Sequence, residues 1–227
     1  MQILIADDHP LFRDALREIL KRAHPDAQLV EVGDAGALYG VAEANPDADL
    51  LLLDLNMPGA HGFSALIHLR GLYPTLPIIV VSARSEALTM RRAIAHGAMG
   101  FIPKSADATS IANAVAQVLS GEIYDPFLHI ELARTELALS EGERLAASRI
   151  RALTPAQFRV LVGLCEGKLN KQIAYELGIT EATIKAHVTQ VLRKLGANNR
   201  TQAVTLAADL ALDPEMARGK NTGTLGN

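Results

Sequence analysis

The sequence predicts an α/β domain of the doubly wound kind, with a five-stranded parallel sheet in the order 2-1-3-4-5, followed by an all-α helix-turn-helix domain of about four helices. Three observations carry this. Strand-like and helix-like patterns alternate five times within residues 1–120. Leu50, Leu51, Leu52 and Leu53 are apolar on successive residues and run into Asp54, as in a central strand covered on both faces. Beyond residue 150 only helical spacing remains, punctuated by capping residues and glycines.

The elements follow in order. Residues 2–6 form a short apolar strand that leads straight into Asp7, Asp8, His9 and Pro10. Leu11, Phe12, Ala15, Leu16, Ile19 and Leu20 then recur at helical spacing before Pro25. The remaining strands are predicted at 29–32, 49–54, 77–81 and 99–102, and the helices at 35–44, 62–72, 86–96 and 106–119. Such regular alternation requires crossover connections and a parallel sheet.

Composition narrows the function classes. The chain has 227 residues, 49% hydrophobic and 21% charged, enough for two modest domains with real cores. No apolar run approaches the roughly 20 residues that span a bilayer, and the start MQILIADDHP lacks the features of a signal peptide, so a cytoplasmic protein without a membrane partner is expected. The single cysteine, Cys165, sits in a helical pattern and reads as a structural thiol. Net charge is -3 but uneven: residues 1–122 sum to -5, 123–150 to -2 and 151–212 to +4, with a neutral tail. An acidic first domain and a basic second one suggest different partners, the second being nucleic acid.

The acids converge on one sheet edge. Asp7 and Asp8 end the first strand and Asp54 the third, and in the predicted order these strands are neighbours at the switch point where such sheets bind ligands. Three carboxylates so close repel unless a cation lies among them, which points to a hard divalent ion, magnesium. Ser82, ending strand four, and Lys104, following strand five, reach the same edge. A hydroxyl, an ammonium and a metal around one carboxylate suit a phosphoryl group carried by that carboxylate.

Asp7-Asp8, Asp54, Ser82-Ala83, Phe101 and Lys104, at these spacings, resemble the flavodoxin-like receiver domain of bacterial two-component response regulators across residues 1–121. The resemblance implies that Asp54 accepts a phosphoryl group from a sensor histidine kinase. It implies that Asp8 and Asp54 bind Mg2+ directly, Asp7 through water, and Asn56 through its backbone carbonyl. Ser82 and Lys104 would hold the phosphoryl oxygens, with Ala83 beside them and Phe101 turning inward on activation. Phe101 and Ser82 stand where Tyr and Thr are commoner. His9, His61, His68 and His96 show no metal-ligand spacing and are expected on the surface or at helix caps.

Residues 122–150 read as a largely helical linker with a weak spot at Gly142, in which Ile130, Leu132, Leu137, Leu139 and Leu145 could pack on either domain or on a second subunit. Thr154-Pro155-Ala156-Gln157 is then a capping box with proline at the first helical position, and Leu153 can staple onto Phe158. Further helices are predicted from Asn170, as cap, to Leu177, from Thr180, as cap, to Leu195, and from about Thr201 to Leu212. On the third of these four, Ile184, Val188, Leu192 and Leu195 face the core and Ile179 can staple onto Ile184. Ala182, Lys185, Ala186, Thr189 and Arg193 form an outer face with two positive charges and no acid, suited to a major groove.

The run from Leu153 to Val204 resembles the LuxR-type helix-turn-helix of NarL/FixJ regulators within a DNA-binding domain of residues 151–212. The resemblance implies that Lys171, Thr183, His187 and Lys194 meet or pack beside DNA phosphates, and that Lys185, Ala186 and Thr189 face bases. The last helix offers Ala203, Val204, Leu206, Ala207 and Leu210 for self-association or for closing the bundle. Expected partners are the kinase, double-stranded DNA and a second copy of the chain, with RNA polymerase as a further one. Gln157-Phe158 replaces the usual acidic-basic pair. Residues 213–227 are expected to be a disordered tail. Two other readings fit parts of the pattern: a magnesium-dependent phosphohydrolase, for which DLNMP lacks the second acid, and an interaction module with a vestigial pocket. Apart from phosphoryl uptake and slow self-dephosphorylation, no enzyme is expected.

Overall fold

The structure, a computed structural model, describes residues 1–59, 62–125 and 139–208. Five strands, β1 (Gln2–Ala6), β2 (Gln28–Val32), β3 (Leu50–Asp54), β4 (Ile78–Ser82) and β5 (Gly100–Pro103), form one parallel sheet in the order β2-β1-β3-β4-β5. Helices α1 (Pro10–Ala23), α2 (Ala35–Ala44), α3 (Ser64–Leu72), α4 (Ala87–Ala95) and α5 (Ala108–Leu119) alternate with them. All five residues of β3 and of β4 are buried, which is why these strands read as unbroken apolar runs. Predicted ends differ from observed ones by up to two residues. The third helix starts at Ser64, not 62, because Gly62 takes a positive φ and Phe63 serves as the cap.

The second half is helical: α6 (Glu141–Arg151), α7 (Pro155–Cys165), α8 (Asn170–Leu177), α9 (Glu181–Leu195) and α10 (Arg200–Ala208). Its starts are written in capping chemistry. Thr154 accepts from the Gln157 amide while Gln157 accepts from the Thr154 amide, and Ser140 and Glu143 do the same at α6. Gly142 is therefore no weak spot; it lies inside a capped first turn. The cap of α8 is Leu169 rather than Asn170, its amide donating to Gln172 Oε1 at 2.7 Å. Gly178 ends α8 at φ 65°, a left-handed conformation that costs glycine nothing and makes the tight turn into α9. The core of α9 includes Val191, which the predicted face omitted, and Ile179 is more than a third exposed.

One apolar core runs through both halves. It passes from Leu51, Leu53 and Phe63 through Leu66 and Leu69 to Ala146, Ile150, Phe158, Ile184 and Ala203. Helix α3 packs along α6, and Gly71 permits the approach, since a Cβ there would lie 3.3 Å from the Arg151 side chain. Arg92 of α4 pairs with Glu143 of α6 at 2.5 Å. Within the predicted linker, Leu145 is about half exposed, and Ile130, Leu132 and Leu137 lie outside the described residues, as do Leu210, His61 and the tail.

His68 corrects the sequence reading, being neither on the surface nor at a cap, while His96 does cap α4 as expected; both are 0% exposed. Their burial comes from packing between the two halves of the chain, which periodicity within one helix does not register.

Candidate functional site: an acidic pocket and an exposed basic helix

Parallel pairing of β1 with β3 sets Ala6 beside Leu53, so Asp7 and Asp54 each sit one residue further on, at the carboxyl edge. Asp7, Asp8, His9 and Asp54 place ligand atoms within 4.8 Å of one another. Lys104 Nζ bridges the two most buried acids, 2.7 Å from Asp7 Oδ2 and 2.8 Å from Asp54 Oδ2. Asp54 Oδ1 accepts from the Asn56 amide at 3.0 Å, Asp7 Oδ1 from the His9 amide at 2.8 Å, and Arg13 donates to the Asp7 carbonyl. Local turn chemistry thus fixes one oxygen of each acid and turns the other towards the Lys104 ammonium.

Electrostatics follow from burial. Desolvation pushes the Asp54 carboxyl up and Asp7 adds to this, while Lys104 and the Asn56 amide pull it back down. Burial opposes the charge on Lys104, but its contacts with Asp54 and Asp7 prevail and hold the ammonium protonated. Asp7 Oδ2 meets the Lys104 ammonium and Asp8 Oδ1 meets His9 Nδ1, each at 2.7 Å. Three carboxylates whose hard oxygen atoms gather this closely fit a divalent cation among them. His9 Nδ1 approaches Asp8 Oδ1 at 2.7 Å and Lys104 Nζ at 3.1 Å, a contact the sequence reading left out.

The other predicted receiver residues fall on the same edge. Ser82 is buried and pairs in register with Pro103; its Oγ accepts from the Arg84 amide at 3.1 Å, and its carbonyl accepts from the Lys104 amide. Ala83 and Asn56 are exposed at the rim. Phe101 is fully buried, pointing inward from β5.

Some 15 residues of α9 carry the second set. Lys185, Ala186, Thr189 and Arg193 are exposed, as are Thr183 and, on α8, Lys171; His187 is half-buried. Lys171, Thr183, Lys185, Ala186, Thr189 and Arg193 are thus open to solvent among the described residues. Two details depart from expectation. Glu181 lies 3.2 Å from Lys185, so the outer face begins with an acid, in a surface pair of little strength. Lys194 turns inward, donating to the Ala152 carbonyl and to Gln157 Oε1 at 2.8 Å each, where it ties the end of α9 to the start of α7. Thr189 Oγ1 donates to the Lys185 carbonyl and is free to accept. Burial pushes the Cys165 thiol up to about 12, as befits a structural thiol.

Comparison with known proteins places this geometry in a class. The family described as response regulator receiver domain matches residues 3–116, and the luxR family of bacterial regulatory proteins matches residues 151–207. The chain belongs to the two-component response regulators that couple a receiver to a LuxR-type helix-turn-helix, and is a DNA-binding transcription regulator of that family. It is 42% identical over 214 residues to the glycerol metabolism activator of Pseudomonas putida, covering 92% of this chain and 96% of that one. It is 32% identical to the nitrate/nitrite response regulator NarL of Escherichia coli K12, covering 88% and 92%. Among solved structures, RcsB of Salmonella enterica serovar Typhimurium, bound to promoter P1flhDC with the phosphomimetic BeF3-, is similar at 25% identity and a TM-score of 0.52, covering 93% and 99%. Among the described residues no helix is long and apolar enough to cross a membrane.

Proposed function

We propose that the chain takes a phosphoryl group on Asp54 from a sensor histidine kinase and, as a dimer, binds paired DNA half-sites through α9 to regulate transcription. The observation that carries this reading is the Lys104 ammonium held between buried Asp54 and Asp7, a charge already placed where a phosphoryl oxygen would need it. In the transfer, an Asp54 carboxylate oxygen attacks phosphorus, the P–N bond of the kinase phosphohistidine breaks, and an acyl phosphate forms. Lys104 exchanges a carboxylate for a phosphoryl oxygen, the Ser82 hydroxyl donates to another, and Ala83 leaves room at the rim. Slow hydrolysis of the acyl phosphate returns the resting state.

Asp8 and Asp54, the Asn56 carbonyl, and Asp7 through water would hold Mg2+. When bound, the ion supplies positive charge that offsets the phosphoryl oxygens. Phe101 is already inward in this arrangement. The receiver spans residues 1–121, the linker 122–150 and the DNA-binding domain 151–212, acting in the cytoplasm and, on promoters, beside RNA polymerase.

The test is selection from a random DNA pool with the full chain in magnesium, with and without beryllofluoride. An inverted repeat with half-sites about one helical turn apart, enriched only with beryllofluoride, is expected. Enrichment independent of beryllofluoride would separate DNA binding from Asp54, and no enrichment would refute the DNA reading. On the selected site, Lys185→Ala is expected to weaken binding about tenfold, within the 1–3 kcal/mol of a base contact. Unchanged affinity and salt dependence would remove Lys185 from the interface.

A further inference from the structure

Phosphoryl chemistry uses neither of the two most completely buried histidines. Both lie where the receiver meets the second half of the chain, and all four of their ring nitrogens are buried without a hydrogen-bond partner. His68, on α3, is stacked on Phe158 of α7, with ring centroids 4.0 Å apart and planes 10° from parallel. Tyr39 of α2 closes the cluster edge-on, 5.6 Å from His68 and 5.2 Å from Phe158. His96, capping α4, lies 5.1 Å from the Phe63 ring. Native proteins rarely leave so many buried polar atoms unpaired in one place, and imidazole is the side chain whose charge changes in the physiological range.

We propose that docking of the DNA-binding half onto the receiver is an acid-releasable latch, in which His68, backed by His96, holds the two halves together only while neutral. The surroundings of each ring support this. Around His68 the facing groups are the Tyr39 hydroxyl, itself buried and unpartnered, and the Ile150 carbonyl of α6, which favours a proton; no charged side chain offsets the burial. Around His96, Arg92 on its own helix and Arg151 of α6 oppose protonation, and Glu143 of α6 favours it; the Arg70 guanidinium runs beside neighbouring Gly97. Desolvation is the largest influence on both rings and holds each at about 4, well below the ordinary 6.5.

The sign is then fixed by linkage. Docked, the rings are kept neutral; separated, the outer faces of α3 and α4 meet water and the rings regain ordinary basicity. The docked arrangement binds fewer protons, so docking is at full strength above about pH 6.5 and weakens as pH falls from 6.5 towards 4. Each histidine released favours separation about tenfold at pH 5.5. A protonated His68 would also have to stay packed against two aromatic rings with the Ile150 carbonyl as acceptor for one N–H and none for the other. The exposed face of α9 takes no part in the latch, so the readout is the relation of the two halves and not access to the recognition helix.

The experiment is small-angle X-ray scattering of the full chain from pH 7.5 to 5.0, with far-UV circular dichroism on the same samples, for the wild type and for His68→Phe. Phenylalanine keeps the stack on Phe158 and cannot take a proton. The wild type should expand on acidification with its helical signal intact, and His68→Phe should need a pH about one unit lower for the same expansion. A wild type that stays compact at pH 5.0, an unshifted His68→Phe transition, or expansion that only accompanies loss of helix would each overturn the latch. Should His68→Phe fail to fold, NMR titration of the wild-type ring decides the matter: His68 is expected to stay neutral until the chain expands, and titration near 6.5 in the compact chain would refute it.

Discussion

Replacing Asp54 by asparagine is expected to abolish phosphoryl uptake while leaving the fold intact. The amide is nearly isosteric with the carboxylate and its oxygen can still accept from the Asn56 amide, but its nitrogen and oxygen are not nucleophiles towards phosphorus. Stability should change little. Desolvation of a carboxylate is relieved, and the Lys104 ammonium keeps Asp7 at 2.7 Å as its counter-ion. The measurement is transfer of labelled phosphoryl groups from acetyl phosphate or a phosphorylated kinase, with a thermal melt as control. The expected result is stoichiometric labelling of the wild type, none of the variant, and a difference in stability within about 1 kcal/mol. Labelling of the variant at the wild-type rate would move the acceptor elsewhere, and Asp7 and Asp8 would then be the next carboxylates to replace.

That prediction rests on features the sequence displays openly. Four leucines in succession announce a strand covered on both faces, and the acid that ends it has nowhere to go but the sheet edge. Capping residues announce α7 and α9 because the capping pattern is local: Thr154 and Gln157 settle one helix start within four residues, whereas the Ser140–Glu143 box of α6 went unread beside Gly142. The docking of the two halves is a different kind of information. Ser64, Ala65, Leu66, Ile67, His68 and Leu69 are all buried, since the sheet takes one side of α3 and α6 and α7 take the other. A signal was present in SALIHLRGL, a helix with Arg70 as its only charged residue, which is apolar on too many sides to have a solvent face. What covers that face could not be read from α3 alone. Lys194 shows the same limit on the other domain. Its place in the motif suggests DNA, yet its ammonium meets the Ala152 carbonyl and Gln157, a residue that itself departs from the usual motif.

Phe158→Ala carries the second large effect, because Phe158 is where the two halves share a core. The ring is 1% exposed, stacked on His68 and met edge-on by Tyr39, with Leu153 buried beside the start of the same helix. Truncating a buried phenylalanine costs about 3–5 kcal/mol, the upper part of the range applying where the surroundings cannot collapse into the space. Here the cavity would open between a receiver helix and α7, two elements anchored in separate halves, so it has two ways to relax: a packed core with a hole, or separation of the halves. Separation exposes His68 and Tyr39, whose unpaired polar atoms gain water, and this makes it the cheaper course. In calorimetry the wild type should melt as one cooperative unit, as a shared core requires. The variant should show two transitions, the lower of them depressed by about 10 °C. Tyr39→Phe, which removes only a buried hydroxyl without a partner, should leave the single transition in place. A single transition for Phe158→Ala within a few degrees of the wild type would mean that the cluster contributes little to holding the receiver and the DNA-binding half together.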